Sequence, residues 1–430
     1  MEKRVTFEYS HHRVYGALNR LRYLTLGALL ALSVPAHALD FGGFVESETI
    51  AEQNADEQIE LGLTNTARLF LRRNPVVEGP LTVRWDAQLS ATSDQAYVAG
   101  EQQEDRWIFD VDRLDLRLVA PDAIAANSVL RGSVGRFPFA DTTGLIFDDR
   151  VDGLSLSVDF PEITAAVSAG YTGLLAKENS AISVSEDDQG DRQDSDERFA
   201  PRRVVSNLSL IFPELVGRQS ASIEGLAQWD VRDEVQVETV DSQYLYITGN
   251  GPLTEAWYYS FALAGSSLQR SSEQDGNAGD PQQEFGVAGQ LQSELFLGAR
   301  DRNLVTATIR YGSGADNGLD PFPSATDPEG MISGQSQVAD TTLAMVDYSF
   351  NPYAGRRGAA SRRLEAGGYT AAEYSATPTE EDAFRGFEVG SRINARPFPE
   401  FGTRIQGGLR YDNETDQLLP LGRIDLSARF

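Results

Sequence analysis

From Ile59 onward the chain repeats one pattern that few folds can accommodate: stretches of about ten residues alternating apolar and polar, each closed by turn residues. Ile59, Leu61, Leu63, Ala67, Leu69 and Leu71 share one face; Glu60, Thr64, Thr66, Arg68 and Arg72 share the other. Asn65 and Phe70 are out of phase. The next stretch sets Leu81, Val83, Trp85, Ala87 and Leu89 against Thr82, Arg84, Asp86, Gln88 and Ser90. Further on, Phe285, Val287, Leu291, Leu295 and Leu297 oppose Gln290, Gln292 and Glu294. A period of two belongs to a strand. No apolar run after the leader approaches the roughly 20 residues of a membrane-crossing helix.

Strands wetted on one face and greasy on the other, repeated along the whole chain, predict an all-β fold: a transmembrane antiparallel β-barrel. In hydrocarbon every backbone amide and carbonyl needs a partner, so such a sheet must close on itself. Eighteen strand-like segments can be placed between residues 40 and 430, and sixteen is the alternative if two weak ones are misread. Short connections predict periplasmic turns: Asn74 to Gly79, Pro161–Glu162, Pro213 to Gly217, Ala299–Arg300 and Phe398 to Glu400. Longer acidic ones predict extracellular loops: Thr92 to Glu104, Ala176 to Pro201, Gln269 to Gln282 and Gly314 to Gln337. Asn351 to Ala360 is long for a turn, and Arg232 to Glu234 is short for a loop.

The first 38 residues differ. Lys3, Arg4, Arg13, Arg20 and Arg22 precede an apolar run from Tyr23 to Val34, then Pro35, Ala36, His37 and Ala38. Basic, apolar and small residues in that order predict a cleavable signal peptide over 1–38 and a barrel over 39–430. The net charge of −27 therefore falls on a mature part more acidic still. That argues against nucleic acid as a partner. After the leader Lys177 is the only lysine; arginine, the always-charged fork, supplies every other cation. The chain has no cysteine, and His11, His12 and His37 all lie in the leader. Thiol and imidazole catalysis and histidine-ligated metals are excluded, and neither an enzyme nor a cofactor is expected.

The C-terminus adds a second signal. Ile424, Leu426, Ala428 and terminal Phe430 alternate to the end. This resembles the last strand by which bacterial outer-membrane barrels are recognised, and implies the barrel-assembly machinery as a partner through Phe430. Val134, Gly135 and Arg136, then Asp149, Arg150, Val151, Asp152 and Gly153, resemble segments of the alginate-export family, eighteen-stranded channels that pass an anionic polysaccharide. That resemblance implies the architecture and leaves the substrate open.

The candidate pore-lining residues are the inward arginines. Arg68, Arg72, Arg84, Arg113 and Arg117 come from early strands; Arg392, Arg396, Arg404, Arg410, Arg423 and Arg429 come from the last three. Barrel closure would join them into one wall. Facing acids include Glu60, Asp86, Asp110, Asp115, Glu224, Glu294, Asp347, Glu388 and Asp425. Two readings stand: an arginine-lined path for anionic or hydroxyl-rich solutes, or arginines that pair with acids and brace the wall. Trp85, Trp107, Trp229, Trp257, Tyr258 and Tyr259 suit interfacial girdles. The acidic run Glu186, Asp187, Asp188, Asp191, Asp194, Asp196 and Glu197 reads as a solvated loop, or as a divalent-ion site bridging lipopolysaccharide phosphates. The leading expectation is an outer-membrane porin-like channel for small hydrophilic solutes, anionic ones among them, in contact with lipid and lipopolysaccharide. An exporter of anionic polysaccharide and a non-channel surface protein with ion-binding acidic loops are the alternatives.

Overall fold

The computed structural model describes residues 39–430, apart from 54–57, 74–81, 191–196, 233–238, 299–302, 325–328, 354–363, 378–382 and a few shorter gaps in the loops. The expected leader lies outside the described residues. The body is one closed sheet of eighteen antiparallel strands. These are β1 (Leu39–Gln53), β2 (Ile59–Arg73), β3 (Thr82–Val98), β4 (Glu101–Pro121), β5 (Val129–Ala140) and β6 (Asp148–Asp159). There follow β7 (Thr164–Tyr171), β8 (Arg203–Val216), β9 (Gln219–Asp230), β10 (Thr239–Pro252), β11 (Trp257–Ser271) and β12 (Gln282–Leu297). The last six are β13 (Asn303–Gly312), β14 (Thr341–Phe350), β15 (Leu364–Ser375), β16 (Phe384–Phe398), β17 (Phe401–Asp412) and β18 (Gln417–Arg429).

Each strand pairs with its neighbours in sequence, and β18 returns to β1 from Phe44↔Arg429 to Glu52↔Leu421. At the end of that seam Gly43 and Phe430 exchange backbone hydrogen bonds of 3.0 and 2.9 Å. No edge is left where the chain ends meet, as a wall in hydrocarbon requires. The outward positions are apolar and bare: Leu69, Val134, Leu154, Leu208, Leu263 and Leu291 are all more than half exposed. A soluble protein would bury them; a lipid-facing band need not.

Both residues that break the alternation are accounted for. Asn65 faces outward, where the Ser47 hydroxyl donates to its Oδ1 at 2.8 Å. Phe70 faces inward and carries the Arg72 guanidinium over its ring at 4.6 Å. Tyr258, expected in a girdle, also faces inward: it opposes Glu294 and meets Phe296 edge-on at 5.7 Å.

The extracellular half departs most from expectation. Thr92 to Glu104 is no loop. β3 and β4 run on as a hairpin turned by Ala99 and Gly100, both at positive φ (51° and 84°), the type I′ signature. A bulge in β4 between Val111 and Arg113 then brings Asp112 to the lumen beside its neighbours. β5 pairs with β4 only up to Leu114↔Arg136. It leaves at Gly135, whose φ of +121° no side chain would tolerate; a Cβ there would lie 2.1 Å from the Leu114 carbonyl oxygen.

Beyond that point three connections fold inward. The turn 141–147, part of 172–202 and part of 313–340 supply Phe147, Ile182, Phe322 and Val338 to an apolar cluster with Phe137, Val205, Leu226 and Tyr246. The acidic run is not simply solvated either. Asp188 is fully buried, bonded to Arg203 at 2.8 Å and Arg232 at 2.9 Å; Glu186, Asp191, Asp194 and Asp196 lie outside the described residues.

Candidate functional site: the lumenal arginine wall

Directly opposed residues of an antiparallel pair project to the same face. The register therefore hands the lumen from strand to strand: Arg429 to Phe44 to Arg68, Arg72 to Asp86 to Asp115, and Gln88 to Arg113. Arg84 stands opposite Arg117. On the other side of the seam Gly367 opposes Arg392, Asn394 opposes Arg404, Glu388 opposes Arg410, and Gln406 opposes Arg423. The eleven arginines singled out in the sequence sit on or beside one wall, β15 through β1 to β4. Arg72, Arg84, Arg117, Arg396, Arg404 and Arg429 lie at the strand ends joined by the short turns.

The early arginines are held tightly. Arg72 Nε lies 3.1 Å from Asp86, and Arg84 lies 3.6 Å from the same carboxylate. Arg113 and Arg117 donate their Nε groups to the two oxygens of Asp115 at 2.8 and 2.5 Å. Asp86 and Asp115 are nearly inaccessible. Arg68 reaches Glu46 at 2.9 Å and Asp112 at 3.3 Å, and lies over the Phe44 ring at 5.2 Å.

The late group is mixed. Arg392 grips Asp347 with both Nη groups, and Arg423 spans Glu48 at 3.1 Å and Asp425 at 2.9 Å. Arg404 lies 4.0 Å from Asp425 with 53 % of its side chain exposed. Glu388, which faces Arg410, instead accepts the Tyr369 hydroxyl. Glu294 accepts the Gln292 amide at 2.8 Å rather than an arginine. Among the described residues Arg396, Arg410 and Arg429 form no ion pair. Arg396, Arg404 and Arg423 line a cavity of about 840 Å³ in the half of the barrel nearest the short turns.

Asp110 and Glu224 are among the facing acids expected from the sequence; the lumenal places of Asp112, Arg136, Arg150, Arg203 and Arg232 escaped that reading. Asp110 and Asp112 receive Arg150 at 3.0 and 2.9 Å; Arg136 reaches Asp110 at 3.3 Å and Asp152 at 2.7 Å. This network ties the inclined β5–β6 hairpin to the inner face of β4. A signal existed. Arg136 shares strand parity with lipid-facing Val134, and Arg150 and Asp152 share it with Leu154, so an ordinary barrel would have put these charges in lipid. Arg203 and Arg232, held by Asp188 and Asp230, anchor the long inward connection. Glu224 accepts the Thr142 amide at 3.2 Å and the Thr142 hydroxyl, fixing the 141–147 turn in the lumen. At the end of another connection burial opposes ionisation of Asp340. Hydrogen bonds from Thr377 and Ser375 and the Arg385 guanidinium outweigh it, holding the carboxyl below its ordinary range.

No family model and no curated protein sequence matches the chain. Solved structures do match in shape. Pseudomonas aeruginosa OccK9 (OpdG) superposes with a TM-score of 0.56 at 12 % identity, over 91 % of this chain and 98 % of the other. P. aeruginosa OccK5 (OpdH) gives 0.55 at 11 % identity, over 91 % and 98 %. Acinetobacter baumannii OccAB4 gives 0.55 at 9 %, over 91 % and 98 %. Identities this low speak for fold and nothing finer. With the closed seam and the bare apolar band, they give this chain the fold of a closed eighteen-stranded antiparallel β-barrel with a lipid-facing outer surface.

Proposed function

We propose that the protein is a passive outer-membrane channel for small hydrophilic solutes, with a preference for anions set by the β16–β18 arginines. Arg396, Arg410 and Arg429 form no ion pair among the described residues, and Arg404 meets Asp425 only at 4.0 Å with half its side chain exposed; these loosely held guanidiniums carry the reading. The chain as a whole is strongly acidic, and Glu46, Glu48, Glu365 and Asp425 border the same cavity, yet these guanidiniums are held loosely enough to meet a passing anion. Rings and strips of fixed charge set pore selectivity in this way. Barrels of 16–18 strands are wide enough for an aqueous lumen. The inward connections narrow the extracellular half and favour small solutes over a polymer chain.

The test is reconstitution in planar bilayers under a salt gradient, comparing the native protein with the Arg404→Gln/Arg410→Gln double variant. The expected result is stepwise conductance with an anion-selective reversal potential that moves toward zero in the variant. An unchanged reversal potential removes the arginine strip as the selectivity device. Absence of conductance steps removes the channel.

A further inference from the structure

Beside the arginines of β4, beginning with Ser133 directly opposite Arg117, the next strands of the wall carry hydroxyls. Ser133, Ser155, Ser168 and Asn207 stand in one registered row across β5 to β8. Ser157 and Ser209 stand in the next row, with Arg131 at one end and Glu224 at the other. Both rows line a cavity of about 480 Å³ that Arg113 and Arg117 border and Phe137, Phe139 and Thr142 roof.

Much of its hydrogen-bonding capacity is unspent. Ser155 and Ser168 bond each other at 2.9 Å, and the Asn207 amide group donates to Glu224. Among the described residues the hydroxyls of Ser133, Ser157 and Ser209, and Oδ1 of Asn207, have no protein partner. Ser209 and Asn207 are only 7 % exposed, so what accessibility they keep is toward the cavity. On the arginine side Asp115 occupies the Nε groups of Arg113 and Arg117, and no Nη group of either has a protein partner among the described residues. Buried polar groups left unsatisfied are costly, and a guanidinium edge matches a carboxylate in geometry and charge.

We propose that this cavity is a recognition subsite for a small polyhydroxylated anion, a sugar acid. Its carboxylate would meet the Nη groups of Arg113 and Arg117, and its hydroxyls Ser133, Ser157, Ser209 and Asn207. The proposal rests on the channel reading and names the solute class for it. It predicts recognition of two features together: a simple carboxylate uses only the arginine side, and an uncharged polyol only the serine side.

Currents through the reconstituted protein are titrated with D-gluconate, with pentanoate (the charge without hydroxyls) and with sorbitol (hydroxyls without charge). Gluconate is expected to interrupt the current at concentrations about tenfold below either control, the worth of one or two net hydrogen bonds. The Ser133→Ala/Ser157→Ala/Ser209→Ala variant should erase that advantage; Ser209→Val alone serves if the triple variant fails to assemble. Calorimetric titration of the detergent-solubilised protein with gluconate reads the subsite without any current. Gluconate no better than pentanoate, or an advantage that survives the serine replacements, overturns the subsite and leaves a conducting channel standing. Calorimetric binding without conductance would do the reverse.

Discussion

The arginines of β2–β4 and those of β16–β18 share a wall, a residue type and a direction, yet they differ in what surrounds them. In the early group two nearly inaccessible carboxylates, Asp86 and Asp115, each hold a pair of arginines. In the late group Asp347 and Asp425 hold only Arg392 and Arg423 closely, Glu388 accepts the Tyr369 hydroxyl, and several guanidiniums are left to the water of the lumen. The same side chain thus braces the sheet in one place and sets the local potential in another. What separates the roles is the ratio of cations to acids on adjacent rungs.

Removing the lock should have the largest effect. In the Asp115→Asn variant two arginines lose their common carboxylate, which we expect to lower stability by about 3 kcal/mol, read as a lower melting point of the heat-modifiable band on gels. The freed guanidiniums should also make the channel more anion-selective. A variant as stable and as selective as the native protein would erase the distinction between the two groups. The converse is Arg396→Gln with Arg429→Gln. Here stability should change by less than about 0.5 kcal/mol, because exposed and unpaired cations contribute little to folding, while anion selectivity falls. A melting point lowered as far as in Asp115→Asn would mean that the late arginines are braces too.

A smaller effect is expected at the constriction. Glu224→Gln weakens a charge-assisted hold on Thr142, worth about 1–2 kcal/mol locally. The 141–147 turn should then leave its position part of the time, seen as added current noise or a second conductance level. A quiet, single-level trace would show that the apolar cluster around Phe147 suffices.

How much of this could be read beforehand follows from the range of the interactions. Strand parity is local, so the barrel and its closure were legible from alternation, as was the sharing of one strand face by arginines such as Arg68 and Arg72. Asn65 and Phe70 looked like errors and were not: one is satisfied by Ser47, the other is a platform for Arg72. Whether an arginine is locked or loose was not legible. That depends on which acid falls on the adjacent rung of a neighbouring strand, and on where acids such as Glu388 find other partners. The β4 bulge hid Asp112 by shifting the period by one residue. The burial of Asp188 depends on Arg203 and Arg232, in another strand and another connection, so composition alone made its run look solvated.

The smallest effect concerns the clip made by Asp340. Its folded carboxyl titrates below its ordinary value, so the charged form is the one the folded state favours. The stabilisation is therefore complete above the ordinary carboxylate range, about pH 4, and is lost only as pH falls through the lower folded value. Moving from pH 7 to pH 5 should leave the clip intact. Asp340→Asn should cost less than about 1 kcal/mol, since the pair with Arg385 is partly exposed. Limited proteolysis of the intact protein as a function of pH checks both. Native protein that becomes more susceptible between pH 7 and pH 5 would contradict the direction assigned to Asp340. An Asn variant that stays as resistant as the native protein at pH 7 would show that Thr377 and Ser375 hold the connection without the charge.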